Sequence, residues 1–318
     1  MQDFSLLDLY EYCHASIRYY VNPLRVKYKN VQVTHHELSD KEYQQVWETP
    51  VGRLTETFHY DDYRLSAYNS EYLLKRPEDF KVYEYIIQDE RWYLDEEAYE
   101  REAAAVGSLG VPQFYFRRSP IQGLFIENMG FENAILFMND YPEVIERYVE
   151  MRTAADDAMY AVLCQSQAPI LNFGENIDMY MDPPTIWRKH LVPYFRRRVA
   201  QLEAAGKSTY IHVDGAMKRL LRGIRESPFT GIEAYTPVPQ GDVTIAEIKE
   251  ALGDKVLLDG IPAVYFLPTF SFDEIADSVR ELVDRFYPHL ILGISDEIPP
   301  DGDIERVRQV GEMVMEMV

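Results

Sequence analysis

From about residue 112 onward the chain alternates short β-branched or aromatic runs with long amphipathic stretches, the pattern of βαβ units feeding a parallel sheet. Six strands are predicted: Gln113–Arg117, Ile170–Phe173, Thr209–Val213, Gly231–Tyr235, Lys255–Leu258 and His289–Ile294. The stretches between them carry helix start and stop signals. Asn139-Asp140-Tyr141-Pro142-Glu143 sets a cap and an early proline ahead of an apolar-periodic run to about Cys164. Asp182-Pro183-Pro184-Thr185 opens the helix carrying Trp187, Leu191, Phe195, Val199 and Leu202, which stops at Gly206. Thr244 and Ser271 open two more, and a last helix runs from about Ile304. Residues 1–111 are less regular, with a hairpin predicted at Val51–His59 and a helix at Asp95–Ala105. The whole reads as one α/β domain over residues 1–318, a (β/α)8 barrel with an irregular portion at 1–111 and regular units over 112–318.

Composition narrows the class. At 47% hydrophobic residues the chain has ample material for a large core. No apolar run approaches the roughly 20 residues that span a bilayer, and the acidic N-terminal segment is unlike a signal peptide. A cytoplasmic protein without membrane contact is therefore expected. The formal charge of −21 argues against nucleic acid as a partner. Two distant cysteines, Cys13 and Cys164, exclude a zinc site built on three or four thiolates. Of 24 tyrosines many fall early, among them Tyr20, Tyr28, Tyr43, Tyr60 and Tyr63; such rings suit half-buried surfaces and, equally, a substrate pocket.

In parallel α/β folds ligands bind outside the carboxyl ends of the strands, so those ends are where chemistry is sought. Glu175 follows the second of the six runs, and His212 and Asp214 close the third. Glu233 and Tyr235 close the fourth, Asp259 the fifth and Asp296 the last. His212 and Asp214 are two apart, which on a regular strand puts both on one face. Imidazole beside carboxylate can bind a divalent metal or act as an acid–base pair. For Glu175 and Asp259, an N-cap or a rim salt bridge is the competing reading. Arg117, next to Arg118, stands where it could hold an anionic group, the two side chains pointing opposite ways.

These residues also carry a resemblance. The run LNFGENIDMYMDPPTIWRKHLVPYFRRRVAQLEAAGKSTYIHVDGAMKRLL resembles the uroporphyrinogen decarboxylase-like superfamily, which includes corrinoid-dependent methyltransferases. TPVGRLTETF, RPEDFKVYEYII, GFENAILFMNDYPEVIERYVE, ALGDKVLLDGIPA and LGISDEIPP recur in the matching order, so the resemblance covers about residues 45–318. It implies a (β/α)8 barrel with its site at the mouth. In the methyltransferase branch zinc is held by a His-x-Cys and a further Cys on the last strand. Here His212 matches the histidine, while Asp214 and Asp296 stand at the thiolate positions. Carboxylate oxygen is harder than thiolate, so such a site suits Zn²⁺ but also Mn²⁺, Fe²⁺ or Mg²⁺; Glu175 is a further ligand candidate. The Arg-rich opening of the decarboxylase itself is missing, and so is a recognisable first barrel strand before residue 45.

The reading that follows is a methyltransferase. It moves a methyl group from a small substrate, a phenyl methyl ether or a methylamine, to a corrinoid carried by a partner protein. A divalent metal, zinc first, held by His212, Asp214, Asp296 and Glu175 would act as Lewis acid. Glu175, His212, Asp214 and Glu233 are the candidate catalytic residues, with Arg117, Tyr235 and Asp259 on the substrate. A metal-free decarboxylase or lyase of the same fold, and a non-catalytic binding subunit, stay open beside it.

Overall fold

The computed structural model describes residues 5–19, 22–62, 64 and 66–317; Tyr20 and Tyr63 lie outside them. Along the chain the strands are β1 (Ile17–Tyr19), β2 (Leu24–Tyr28), β3 (Gln32–Glu37), β4 (Glu42–Thr49), β5 (Gly52–Tyr60), β6 (Ala67–Glu71) and β7 (Glu90–Leu94). There follow β8 (Gly110–Phe116), β9 (Ile170–Ile177), β10 (Ser208–Val213), β11 (Gly231–Glu233), β12 (Val256–Pro262) and β13 (Leu290–Ser295). The chain forms two compact units. The first holds Met1–Pro23, Asp95–Phe116 and Ser166–Val318, and the second Leu24–Leu94 and Arg117–Gln165.

The first unit is built on a parallel sheet in the order β1-β8-β9-β10-β11-β12-β13, each of the last six beside its sequence neighbour. All six strands predicted from the pattern are present: β8, β9, β10 and β12 run longer, β13 is shifted by one residue, and β11 stops at Glu233, two residues short of the predicted Tyr235. Two of the helices between them start on the caps the sequence places, while the helix Pro184–Ile186 starts with no side-chain cap bond and Asn139 and Asp140 end the helix Phe131–Asp140. Thr244 and Ser271 each form a capping box, with Glu247 and Glu274 respectively, and Asp95 accepts from the Ala98 amide at 3.0 Å. The helix Phe272–Phe286 buries Ile275, Val279, Leu282 and Phe286, which recur at three- and four-residue spacing on one face. Each fully buried side chain of this size contributes about 1.5–3 kcal/mol.

Strand order and direction are those of a barrel sheet, but the complete eight-stranded barrel is not formed by the ladders of the described residues. Only β1 comes from the N-terminal third, and no ladder joins β13 to β1 among those residues. The remaining N-terminal strands pair antiparallel within the second unit, which is why an eighth parallel strand is missing. There β3-β4-β5-β6 form a four-stranded sheet and β2 pairs with β7. The hairpin expected at Val51–His59 is offset: its turn joins Thr49 to Gly52, and residues 52–60 make a single strand. The helix expected at Asp95–Ala105 runs Glu96–Val106, with Asp95 as its cap.

In the parallel sheet, residues in register share a face. One rung runs Phe116, Phe173, Ile211, Ile232, Leu257. Phe173 lies 5.8 Å from Phe195 of the helix Val192–Ala204 and 5.0 Å from Phe229, so this rung faces the apolar core under the helices. The rung before it, Tyr115, Asn172, Tyr210 and Gly231, faces the opposite way. So does the rung after it, His212 with Glu233. Glycine is required twice on this polar face. A Cβ at Gly231 would lie 2.1 Å from the Tyr210 ring, and one at Gly174 would lie 2.9 Å from the ring of Tyr115. The two tyrosine rings occupy the space that side chains at those positions would need.

Gly231→Ala forces the Tyr210 ring and the β12 backbone to move, and overpacking of this kind costs about 1–3 kcal/mol. We expect a matching fall in unfolding free energy by urea titration. Wild-type stability in the variant would show that the ring is not held there.

Candidate active site

Glu233, at the end of β11, is the centre of the polar face. Its carboxylate is 1% exposed, and its Oε2 accepts from the Tyr115 hydroxyl at 2.7 Å and from Asn172 Nδ2 at 2.8 Å. The same oxygen meets His212 Nδ1 at 3.1 Å. A carboxylate only accepts, so this contact assigns the hydrogen to Nδ1 and turns Nε2 to whatever lies beyond. His212 keeps 16% of its side chain exposed. Four strands, β8 to β11, contribute one side chain each. The arrangement is an imidazole held in one tautomer by a buried carboxylate, and such a pair can donate or accept a proton at Nε2.

The other candidates take different positions. Glu175 is buried, in a stretch where β9 spends four steps, Phe173 to Ile177, against two steps of β10 from Ile211 to Val213. Asp214 lies beyond the end of β10, where its amide donates to the Ile177 carbonyl at 2.7 Å and its Oδ2 accepts from Asn176 at 3.4 Å. Asp259 is buried within β12, its Oδ1 over Gly293, where a Cβ would come within 2.4 Å. Asp296 is exposed, and its Oδ1 accepts from the next amide at 2.9 Å. Tyr235 is fully buried, and its hydroxyl has no hydrogen-bond partner among the described residues. Burial foremost, with Asp242 and Glu247 nearby, pushes that phenol well above its usual range.

The expected metal ligands are therefore not gathered. Among the described residues no three His, Cys, Asp or Glu side chains stand together closely enough to hold a metal ion. His212 turns to Glu233, a residue outside the expected ligand set, so the donor set His212, Asp214, Asp296 and Glu175 does not fit a metal in this geometry. Tyr115 and Asn172 were not anticipated. The signal for Asn172 is an amide inside the otherwise apolar run ILNF; Tyr115 carries no signal beyond its place in the predicted strand Gln113–Arg117.

One more feature marks this end of the sheet. Among the described residues five non-glycine ones have positive φ, and three of them stand at successive strands: Ala234 after β11 (57°), Asp259 in β12 (76°) and Asp296 after β13 (67°). Each such backbone costs about 1–3 kcal/mol and persists where surrounding structure imposes it, commonly at functional sites.

Neither a protein family nor any curated protein matches the sequence. Solved structures match in fold. A methyltransferase from Methanosarcina mazei aligns with a TM-score of 0.54 and 14% identity, over 67% of this chain and 61% of that one. The chain thus spans under two thirds of that neighbour's length. A B12-independent methionine synthase from a Shewanella species, in complex with selenomethionine, aligns with a TM-score of 0.44 and 11% identity, over 93% and 77% of the two chains. The chain shares the fold of the first. The likeness to methyltransferases expected from the sequence is borne out at that level. Among the described residues no helix is long and apolar enough to cross a membrane.

The second unit has its own polar interior. Glu90 receives two guanidinium forks, Arg117 at 2.8 and 2.8 Å and Arg152 at 3.0 and 3.0 Å, and Trp92 Nε1 donates to it at 3.0 Å. Arg152 also donates to Asp156 at 2.9 Å. Arg117, expected on substrate, thus has its fork on Glu90 and lies 4.6 Å over the Trp92 ring. Glu56, on β5, is 7% exposed and accepts from Trp47 Nε1 at 3.0 Å and Asn69 Nδ2 at 3.4 Å. Burial pushes its carboxyl above the ordinary value of 4.5.

The sign of that shift makes a prediction. A carboxyl raised in the folded state contributes stability at low pH and loses it as pH climbs past the unfolded value. Glu56→Gln lacks this loss, so its melting temperature should gain on wild type between about pH 4 and pH 7. A difference that does not change over this range would show that burial does not disfavour the ionised form.

Proposed function

We propose that the chain is an enzyme that takes a methyl group from a small methylated substrate, with His212 and Glu233 as its acid–base pair. The observation that carries this reading is the hydrogen bond of His212 Nδ1 to the buried Glu233 carboxylate, on the polar face of a parallel sheet shared with a methyltransferase. As the methyl group leaves for a nucleophile, the bond from carbon to the substrate oxygen or nitrogen breaks and its electron pair stays on that heteroatom. Protonated His212 gives its Nε2 proton to the heteroatom, and Glu233 offsets the positive charge while the ring waits. Tyr115 and Asn172 hold the Glu233 carboxylate in place. Phenyl methyl ethers and methylamines are the substrate classes, and the sequence resemblance supports a reduced corrinoid on a partner protein as the acceptor. Because the expected metal donors do not come together, no step here runs through a metal.

That same observation favours a second reading. An acid–base pair without an assembled metal set also serves a decarboxylase or lyase, with His212 protonating the carbanion left after carbon dioxide departs.

The test is transfer from a panel of phenyl methyl ethers and methylamines to cob(I)alamin, read as methylcobalamin, with carbon dioxide release followed on a parallel panel of carboxylates. His212→Ala should lower kcat by about 10²–10⁴-fold, the usual contribution of a positioned general acid. Transfer sustained at wild-type rate by the variant would remove His212 from the chemistry. Carbon dioxide release without methyl transfer would replace the first reading by the second.

A further inference from the structure

We propose that the second unit contains a separate binding site for a small organic cation, a protonated or quaternary amine held between Glu56 and the rings of Trp47 and Phe58. A cavity of about 260 Å³ lies wholly within this unit. Glu56, Trp47, Phe58, Asn69 and Tyr28 line one part of it, and Glu90, Arg117, Arg118, Glu127 and Arg152 another. Its size exceeds the engineered apolar cavity of about 150 Å³ that takes up benzene.

The sheet explains the first group. Leu54, Glu56 and Phe58 alternate onto one face of β5, and the register sets Trp47 opposite Leu54 and Asn69 opposite Phe58. Carboxylate, amide, indole and phenyl thus share a face. Tyr28 meets Trp47 edge to face at 5.6 Å, which fixes the indole from the side.

Charge decides the ligand. Around the cavity Arg117 and Arg152 are answered by Glu90 and Asp156, and Arg118 by Glu127 at 2.7 Å. Glu56 is the carboxylate over. Among the described residues no lysine or arginine pairs with it. The nearby Lys75 ammonium is spent on Glu71 at 2.9 Å and the Thr55 carbonyl at 2.8 Å, and the Thr55 side chain alternates to the opposite face of β5. Glu56 has two neutral donors instead, which leaves a buried negative charge uncompensated. Aromatic rings beside such a charge make the environment in which an organic ammonium gains both Coulomb and cation–π attraction. An anion would meet an unpaired carboxylate, and a neutral ligand would leave its charge unanswered.

The probe is choline, with its uncharged carbon isostere 3,3-dimethylbutan-1-ol as control, titrated calorimetrically into the full chain. Saturable choline binding is expected, with the isostere weaker by about tenfold or more. Glu56→Gln keeps the shape and removes the charge, and it should weaken choline by a similar factor. Trp47→Phe provides a second variant, weaker for choline and nearly unchanged for the isostere. Equal affinity for choline and the isostere, full affinity in Glu56→Gln, or no choline binding at tens of millimolar would each overturn the proposal. Because the readout is binding alone, it stands or falls apart from the acid–base reading of His212.

Discussion

An ionised carboxylate cannot stay in a protein interior unless donors surround it, because stripping its water costs several kcal/mol even after relaxation. Three of the carboxylates buried among the described residues are answered in different ways. Glu90 takes two guanidinium forks and an indole N–H, so its charge is cancelled and β7 is tied to the long helix Pro142–Gln165 through Arg152. Glu233 takes a phenol, an amide and an imidazole, each from a different strand. Glu56 takes an indole and an amide and, among the described residues, no cation. The first arrangement is structural. The second keeps an ionisable ring in place at a partly exposed position, and the third leaves charge to be met from outside.

The parallel half of the fold was readable because a buried strand is written in consecutive residues. ILNF, TYIHV and KVLL are too short and β-branched to be helices, and Thr244 and Ser271 announce helices through their own side chains. The N-terminal third was not readable in the same way. Whether Leu24–Tyr28 joins a parallel sheet or pairs with Glu90–Leu94 is decided by partners 62 to 70 residues away, on which its own composition is silent. Antiparallel register, not local propensity, took those strands out of the expected barrel.

The site was readable in part for a related reason. Polar residues at strand ends bring up His212 and Glu233, but among several others (Glu175, Asp214, Asp259 and Asp296) that the pattern alone does not separate from caps or rim salt bridges. That the two touch each other follows from register, which the sequence does not state: His212 and Glu233 are side by side only because β10 and β11 align as they do. The expected partnership of His212 with Asp214 assumed that alternation continues through residue 214. It does not. β10 ends at Val213, the Asp214 amide bonds back to Ile177, and Gly215 turns the chain at a φ of 57°. A period-two argument holds only while the strand does.

The overall charge of −21 bears on both proposed sites in the same direction, yet it does not select either of them. At physiological salt a charge is screened over about 8 Å, so distant surface acids mainly raise the concentration of cations near the protein. What discriminates is local. Glu233 sits one hydrogen bond from an imidazole, where its charge can be shared with a proton moving to and from Nε2. Among the described residues Glu56 has no titratable neighbour in hydrogen-bond contact, only neutral donors and rings, so its charge can be relieved by a bound cation but passed to no adjoining group. Two buried glutamates thus support different chemistry, proton transfer at one and cation recognition at the other, because their immediate neighbours differ in the ability to carry charge.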